Sequence, residues 1–194
     1  MRIAAFVMSI GLFSLGMTDA QSTLTDPDAY AVYNAIIPSD WLIRVAHAKE
    51  LLIQDTTRPL DPVSKYCSLE GPDLIGPWAA AATNLKKENV EPRSLVRQFA
   101  LHVPYRLIPK ETLAGFFDSG GIYEWGAFHA TYPDARGFLE LSAVGFDEKH
   151  SHAIVRMSHS CGGLCGESSY HFLQRTPDGW KGANPRINSC TVVS

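Results

Sequence analysis

The sequence predicts an α+β domain in which amino-terminal helices pack on a carboxyl-terminal antiparallel β-meander. Three observations carry this. Before Pro133 most of the apolar residues recur three and four apart, as in Tyr30, Tyr33 and Ile37. From Gly137 onward the period changes to two, with Leu139, Leu141 and Ala143 alternating against polar neighbours. Helices therefore come first and strands last, an order unlike the regular alternation of a doubly wound parallel sheet.

The chain opens with a segment expected not to belong to the domain. Met1-Arg2 is a short positive end, Ile3 to Met17 is apolar, and Thr18-Asp19-Ala20 suits a small-residue cleavage site. That is the layout of a secretory signal peptide over residues 1–20. Cleavage after Ala20 leaves a single domain, 21–194, long enough to bury a sizeable core. No later stretch reaches the ~20 apolar residues that a membrane span needs. The expected location is periplasmic or secreted.

The elements follow in order. Asp26 is placed to cap a helix, Pro27 to open it and Asp28 to favour its positive end, giving a helix from Pro27 to Ile37 that Pro38 stops. Its buried stripe is Tyr30, Tyr33 and Ile37, flanked by Val32 and Ile36. Trp41 to Val45 reads as apolar and extended, and Glu50 to Asp55 as a strand. Thr57 to Gly76 is rich in proline and turn residues, a long connection that needs a tie. Pro77 to Glu88 is helical, with four consecutive alanines and a Lys86-Lys87 end. Leu95 to Pro104 reads as a strand with Val96 and Phe99 inward. Two short helices follow, Pro109 to Phe117 and Ile122 to Tyr132. Tyr123, Trp125, Phe128 and Tyr132 read as core.

The meander is expected as Phe138–Phe146, His152–Ser160 and Ser169–Arg175. Thr176-Pro177-Asp178-Gly179 forms a hairpin turn and a fourth strand starts at Trp180. Ala183 to Ser194 reads as irregular.

Four cysteines in an exported chain imply disulfides, and four allow three pairings. Cys161 and Cys165 are close enough in sequence for a turn to bridge them, which leaves Cys67 with Cys190 to tie the middle of the chain to its end. Gly162, Gly163 and Gly166 are expected to supply positive φ for the turn between the two strands.

The runs GFD, AIVRMSHSCGGLCGESSYHFLQR and DGW within Gly145–Trp180 resemble the carboxyl-terminal signature of a set of exported bacterial proteins with no assigned activity. The front segments YAVYNAII and KELLIQDTT are similar too. The sharpest shared motif is CGGLCG. This resemblance implies export and an α+β fold and supplies no active residues. A closing Asp178-Gly179-Trp180-Lys181 also resembles the last strands of cone-shaped, curved-sheet domains of the nuclear-transport-factor type. The short bridged loop resembles the tips of periplasmic lysozyme inhibitors. Those place a polar residue inside the loop, whereas here the interior is Gly162-Gly163-Leu164, with His159 just outside.

Composition narrows the function classes. The whole chain has 17 basic and 20 acidic residues and a formal charge of −3, with no basic cluster, which argues against nucleic acid as the partner. The Cys161–Cys165 loop, pre-ordered by its bridge, would lose little entropy on docking. The candidate binding residues are therefore His159, Gly162, Gly163, Leu164 and Tyr170, facing an envelope protein or ligand. C-x-x-x-C is not a redox spacing. A metal site from His150, His152, His159, Cys161, Cys165 and His171 would need thiolates that a bridge removes. Ser158 and His159 are strand neighbours facing opposite sides, and no G-x-S-x-G elbow occurs. No catalytic residue, metal ligand or cofactor motif is assigned. The alternative is a cell-envelope hydrolase whose cleft lies between helices and sheet, drawing on several of Glu124, His129, Tyr132, His159 and His171.

Overall fold

The computed structural model describes residues 21–60, 69–117, 124–187 and 192–193. The expected signal peptide, Tyr123, Cys67 and Cys190 lie outside these, as does the side chain of Glu124.

Helix α1, Pro27–Ile36, begins as its sequence requires: the Asp26 carboxylate accepts the N–H of Asp28. All five residues of the expected stripe are buried. The chain then tightens into a 3-10 turn, Ile37–Ser39, and α2, Trp41–Arg44, a single helical turn. The extended reading of Trp41–Val45 is thus corrected. Asp40 accepts the Leu42 N–H, starting a helix that buries Leu42 and leaves Trp41 outside.

Helix α3 spans Gly76–Glu88, α4 Lys110–Phe117 and α5 Glu124–Thr131. The strands are β1 Leu51–Gln54, β2 Tyr105–Ile108, β3 Phe138–Leu141, β4 Gly145–Phe146, β5 His152–Gly162, β6 Cys165–Thr176, β7 Gly179–Gly182 and β8 Val192–Val193. They form one sheet in the order β2-β1-β3-β5-β6-β7, with β4 also on β5 and β8 also on β6.

From β3 to β7 every pairing is antiparallel, and β5-β6-β7 form the expected meander. Beyond it the sheet is mixed, because β1 runs parallel to both β2 and β3. The crossovers through α3 and through α4–α5 make those parallel pairings possible.

Alternation along the strands sorts the core. Leu51, Ile53, Leu139, Leu141, Val155, Met157 and Leu173 meet α1 and Leu42 on one face. On the other, Leu52 and Phe138 meet Leu113, Phe128 and Tyr132 of the α4–α5 region, and Ile154 and Phe172 meet Ala81 and Leu85 of α3. Helices therefore cover both faces.

Three further expectations are corrected. Leu95–Pro104 is not a strand. The Val96 N–H donates to the Tyr30 hydroxyl and the Ala100 N–H to the Asn34 amide oxygen, so side chains of α1 take donors that a neighbouring strand would have used. The expected strand Phe138–Phe146 is split. The Ala143 N–H donates to the Asn89 amide oxygen and the Ala143 carbonyl accepts from the Asn89 amide nitrogen, and the pairing with β5 shifts by one residue between β3 and β4. The tail is not wholly irregular, since β8 pairs with Glu167 and Ser168 of β6.

Candidate functional site

The β5–β6 hairpin is the longest pairing in the molecule and projects the CGGLCG motif at its tip. Cys161 and Cys165 are disulfide-bonded with their Cα atoms 5.1 Å apart. Gly162 pairs with Cys165, leaving Gly163-Leu164 as the two-residue turn. None of Gly162, Gly163 and Gly166 takes a positive φ, contrary to the sequence reading; the bridge closes a turn that ordinary backbone angles already make. Leu164 is 93 % exposed, the most exposed of the large apolar side chains among the described residues.

The base of the tip is braced from below. Gly137 has φ +150°, and a Cβ there would lie 2.1 Å from the Ser160 carbonyl oxygen and 3.0 Å from Cys161 Cα. Only a glycine lets the chain entering β3 pass this close beneath the bridge.

The five candidate binding residues divide. Gly162, Gly163 and Leu164 form the tip itself. His159 lies opposite Glu167 on the face covered by α2 and is buried. Tyr170 lies opposite Arg156 on the other face and packs half-buried against the α3 cluster. One flat partner surface laid on the tip would not touch both.

Where His159 goes is the second feature. Between α2 and the sheet lies a cleft of about 260 Å³, lined by Asp40, Trp41, Arg44, Met157, His159, Glu167, Ser169 and His171 among others. The Asp40 carboxylate accepts the Leu42 N–H with one oxygen and lies 3.0 Å from His159 Nδ1 with the other. Both side chains are nearly sealed from solvent. The Trp41 indole stacks on the imidazole, centroids 5.8 Å apart and planes 20° off parallel. The hydrogen bond to Asp40 raises the His159 pKa above its ordinary value against the opposing effect of burial.

His171 shares the cleft on β6, and burial lowers its pKa, only partly opposed by Asp40 and Glu167. Its Nε2 lies 3.3 Å from the Ser169 hydroxyl. The neutral ring that burial favours can accept that hydroxyl's proton.

Of the residues expected to converge for a hydrolase, His159 and His171 therefore share one concavity. Tyr132 lies in the α4–α5 cluster on the opposite face of the sheet, and His129 packs on Trp125 and Phe128 of that cluster. Asp40, Trp41, Glu167 and Ser169 were not picked out from sequence. The available signal was Ser169-x-His171, two residues apart on one strand and hence on one face.

His150 and His152 sit at the other end of β5, against Asp28 and Ser151. Among the described residues no group of three or more His, Cys, Asp or Glu side chains is arranged to hold a metal ion. No helix among them is long and apolar enough to cross a membrane. Comparison with known protein families, curated proteins and solved structures finds no match to this chain.

Proposed function

We propose that this is an exported binding protein, carried out of the cytosol by residues 1–20, whose contact surface is the stapled tip of the β5–β6 hairpin. The observation that supports it most is Leu164, 93 % exposed on a turn closed by the Cys161–Cys165 bridge. A large apolar side chain at the end of a rigid arm contributes little to its own fold. It loses little conformational freedom on entering a partner's pocket. The sheet with helices on both faces serves as the rigid base. We read its closing strands as the end of a curved, cone-like sheet. The partner is an envelope protein or ligand.

Leu164→Asp tests this. Capture of the partner from envelope extract should fall at least tenfold while the melting temperature moves by less than about 2 °C, as for other exposed substitutions. Unchanged capture, or a large loss of stability, would assign Leu164 a structural role instead.

A second reading, a cell-envelope hydrolase with its cleft between helices and sheet, is favoured by one observation: His159 and His171 both line the cleft beside α2.

A further inference from the structure

Two imidazoles in one cleft are held in unlike surroundings. His159 is tied through Nδ1 to a carboxylate that is itself fixed by the Leu42 N–H, so Asp40 cannot swing away. With Nδ1 turned to Asp40, the other ring nitrogen points away from it. Nε2 has no partner among the described residues and is not among the buried unpaired atoms, so it opens to the cleft. At His171, by contrast, burial outweighs the nearby Asp40 and Glu167 carboxylates and disfavours the proton. Its contact is the Ser169 hydroxyl at 3.3 Å, a spacing within the looser range of unliganded nucleophile–base pairs. Titratable groups whose surroundings push them apart are the usual mark of an acid and a base sharing one reaction.

We propose that this cleft is an acyl-transfer site for small carboxylic esters, with Ser169 as nucleophile, His171 as its base and His159 as the acid. The proposal rests on the hydrolase reading and names its residues and substrate class; it makes no use of the tip. Ser169 Oγ attacks the ester carbonyl carbon as its proton passes to His171 Nε2. Collapse of the tetrahedral intermediate breaks the carbonyl–alkoxy bond, and the leaving oxygen takes the proton from His159 Nε2. Water then attacks the acyl-serine and returns a proton to His159. Ser169 Oγ departs and recovers its own proton from His171. The sum is ester and water giving acid and alcohol, with both rings restored.

Asp40 is a positioning residue: it favours the charged form of the His159 ring and keeps its Nε2 aimed inward. The cleft, at about 260 Å³, is smaller than the usual small-molecule pocket, which limits the substrate to a short acyl group. Between β5 and β6 the facing backbone N–H groups are engaged in the ladder. With His159 Nε2 committed to the leaving oxygen, Arg44 is the charged donor among the described lining residues that is left for the developing oxyanion. That modest stabilisation suits an activated ester and not an amide. Glu167 faces the same space and disfavours anionic acyl groups.

The test uses the signal-free protein with p-nitrophenyl acetate and butyrate. A burst approaching one p-nitrophenolate per chain is expected, followed by slower turnover, with the acyl group found by mass spectrometry on the peptide carrying Ser169. Ser169→Ala should abolish the burst and lower turnover at least 100-fold with its melting temperature retained. Turnover against pH should be bell-shaped, and Asp40→Asn should move its alkaline limb to lower pH. The location of the adduct in the unsubstituted protein decides the matter even if a variant folds poorly. Turnover without an adduct on Ser169 overturns this assignment and leaves a hydrolase of another design. A rate no faster than free imidazole overturns both.

Discussion

At Gly137 a methyl group would have nowhere to go. The Ser160 carbonyl oxygen lies 2.1 Å from the position of a Cβ, and φ is +150°, a value that side chains other than hydrogen rarely allow. Gly137→Ala should therefore cost on the order of 3 kcal/mol. Thermal melts should show this as a fall of roughly 6 to 12 °C. An unchanged Tm would mean the backbone beneath the bridge is free to move.

Asp40 and His159 add a dependence on pH. Because the hydrogen bond to Asp40 raises the folded-state pKa of His159, the folded protein holds that proton more tightly than the unfolded chain. The stabilisation is complete below the unfolded pKa, near pH 6.5, and is lost as pH rises through the folded value. His171 acts on the other side: its lowered pKa makes protonation costly, so its contribution is present above about pH 6.5 and is lost as pH falls. Melting temperatures measured between pH 6 and 9 should fall less steeply in Asp40→Asn than in the unsubstituted protein. Parallel curves would show that the pair carries no linked proton.

Among the elements, the split between β3 and β4 is set by a residue far away in sequence. Asn89 accepts the Ala143 N–H at 2.7 Å, donates to the Ala143 carbonyl at 3.0 Å and also donates to Leu85 at the end of α3. Its burial is almost complete. Asn89→Ala leaves the Ala143 N–H unpaired in the core, while the Ala143 carbonyl keeps the Ser142 hydroxyl as donor, and should cost about 1 to 3 kcal/mol, read from denaturant unfolding. A loss below about 0.5 kcal/mol would mean that water replaces the amide.

The period-two pattern of Phe138–Phe146 was legible, and so was its inward face. The break at Ala143 was not, because the partner that causes it caps the end of α3 and leaves no mark in the local pattern. Leu95–Pro104 failed for the same reason: its apolar residues are buried as a strand's would be, but Tyr30 and Asn34 take donors that a ladder would have used. The α1 cap, the Pro177–Gly179 turn and the meander were readable because their causes are local. Gly179 indeed takes φ +100°. Removing the tip's bridge by Cys161→Ser with Cys165→Ser should cost about 2 kcal/mol for so short a loop. Partner capture should fall further than that stability loss accounts for.

For the molecule as a whole, the parallel half of the sheet was out of reach of sequence, since β1 finds β2 and β3 only after long crossovers. The cleft was hidden likewise. Asp40 and His159 are 119 positions apart, and neither is unusual where it stands. The tip, by contrast, lay in one contiguous motif and could be read directly. A second tie is expected across the fold. Gly71 packs against the Arg186 carbonyl, and Asp73 holds Arg186 by its N–H and guanidinium. The segments beside Cys67 and Cys190 thus run together. Peptide mapping without reduction should recover Cys67 joined to Cys190; a Cys67–Cys161 or Cys67–Cys165 peptide would contradict this.

The tip's role as contact surface is tested most directly by crosslinking in intact cells. A photoactivatable residue is placed at position 164 or at position 90, an exposed apolar site on another part of the surface. The protein is produced with residues 1–20 in place. A discrete adduct from position 164 that is absent from position 90 is the predicted result. No adduct from position 164, or the same adducts from both, would contradict it.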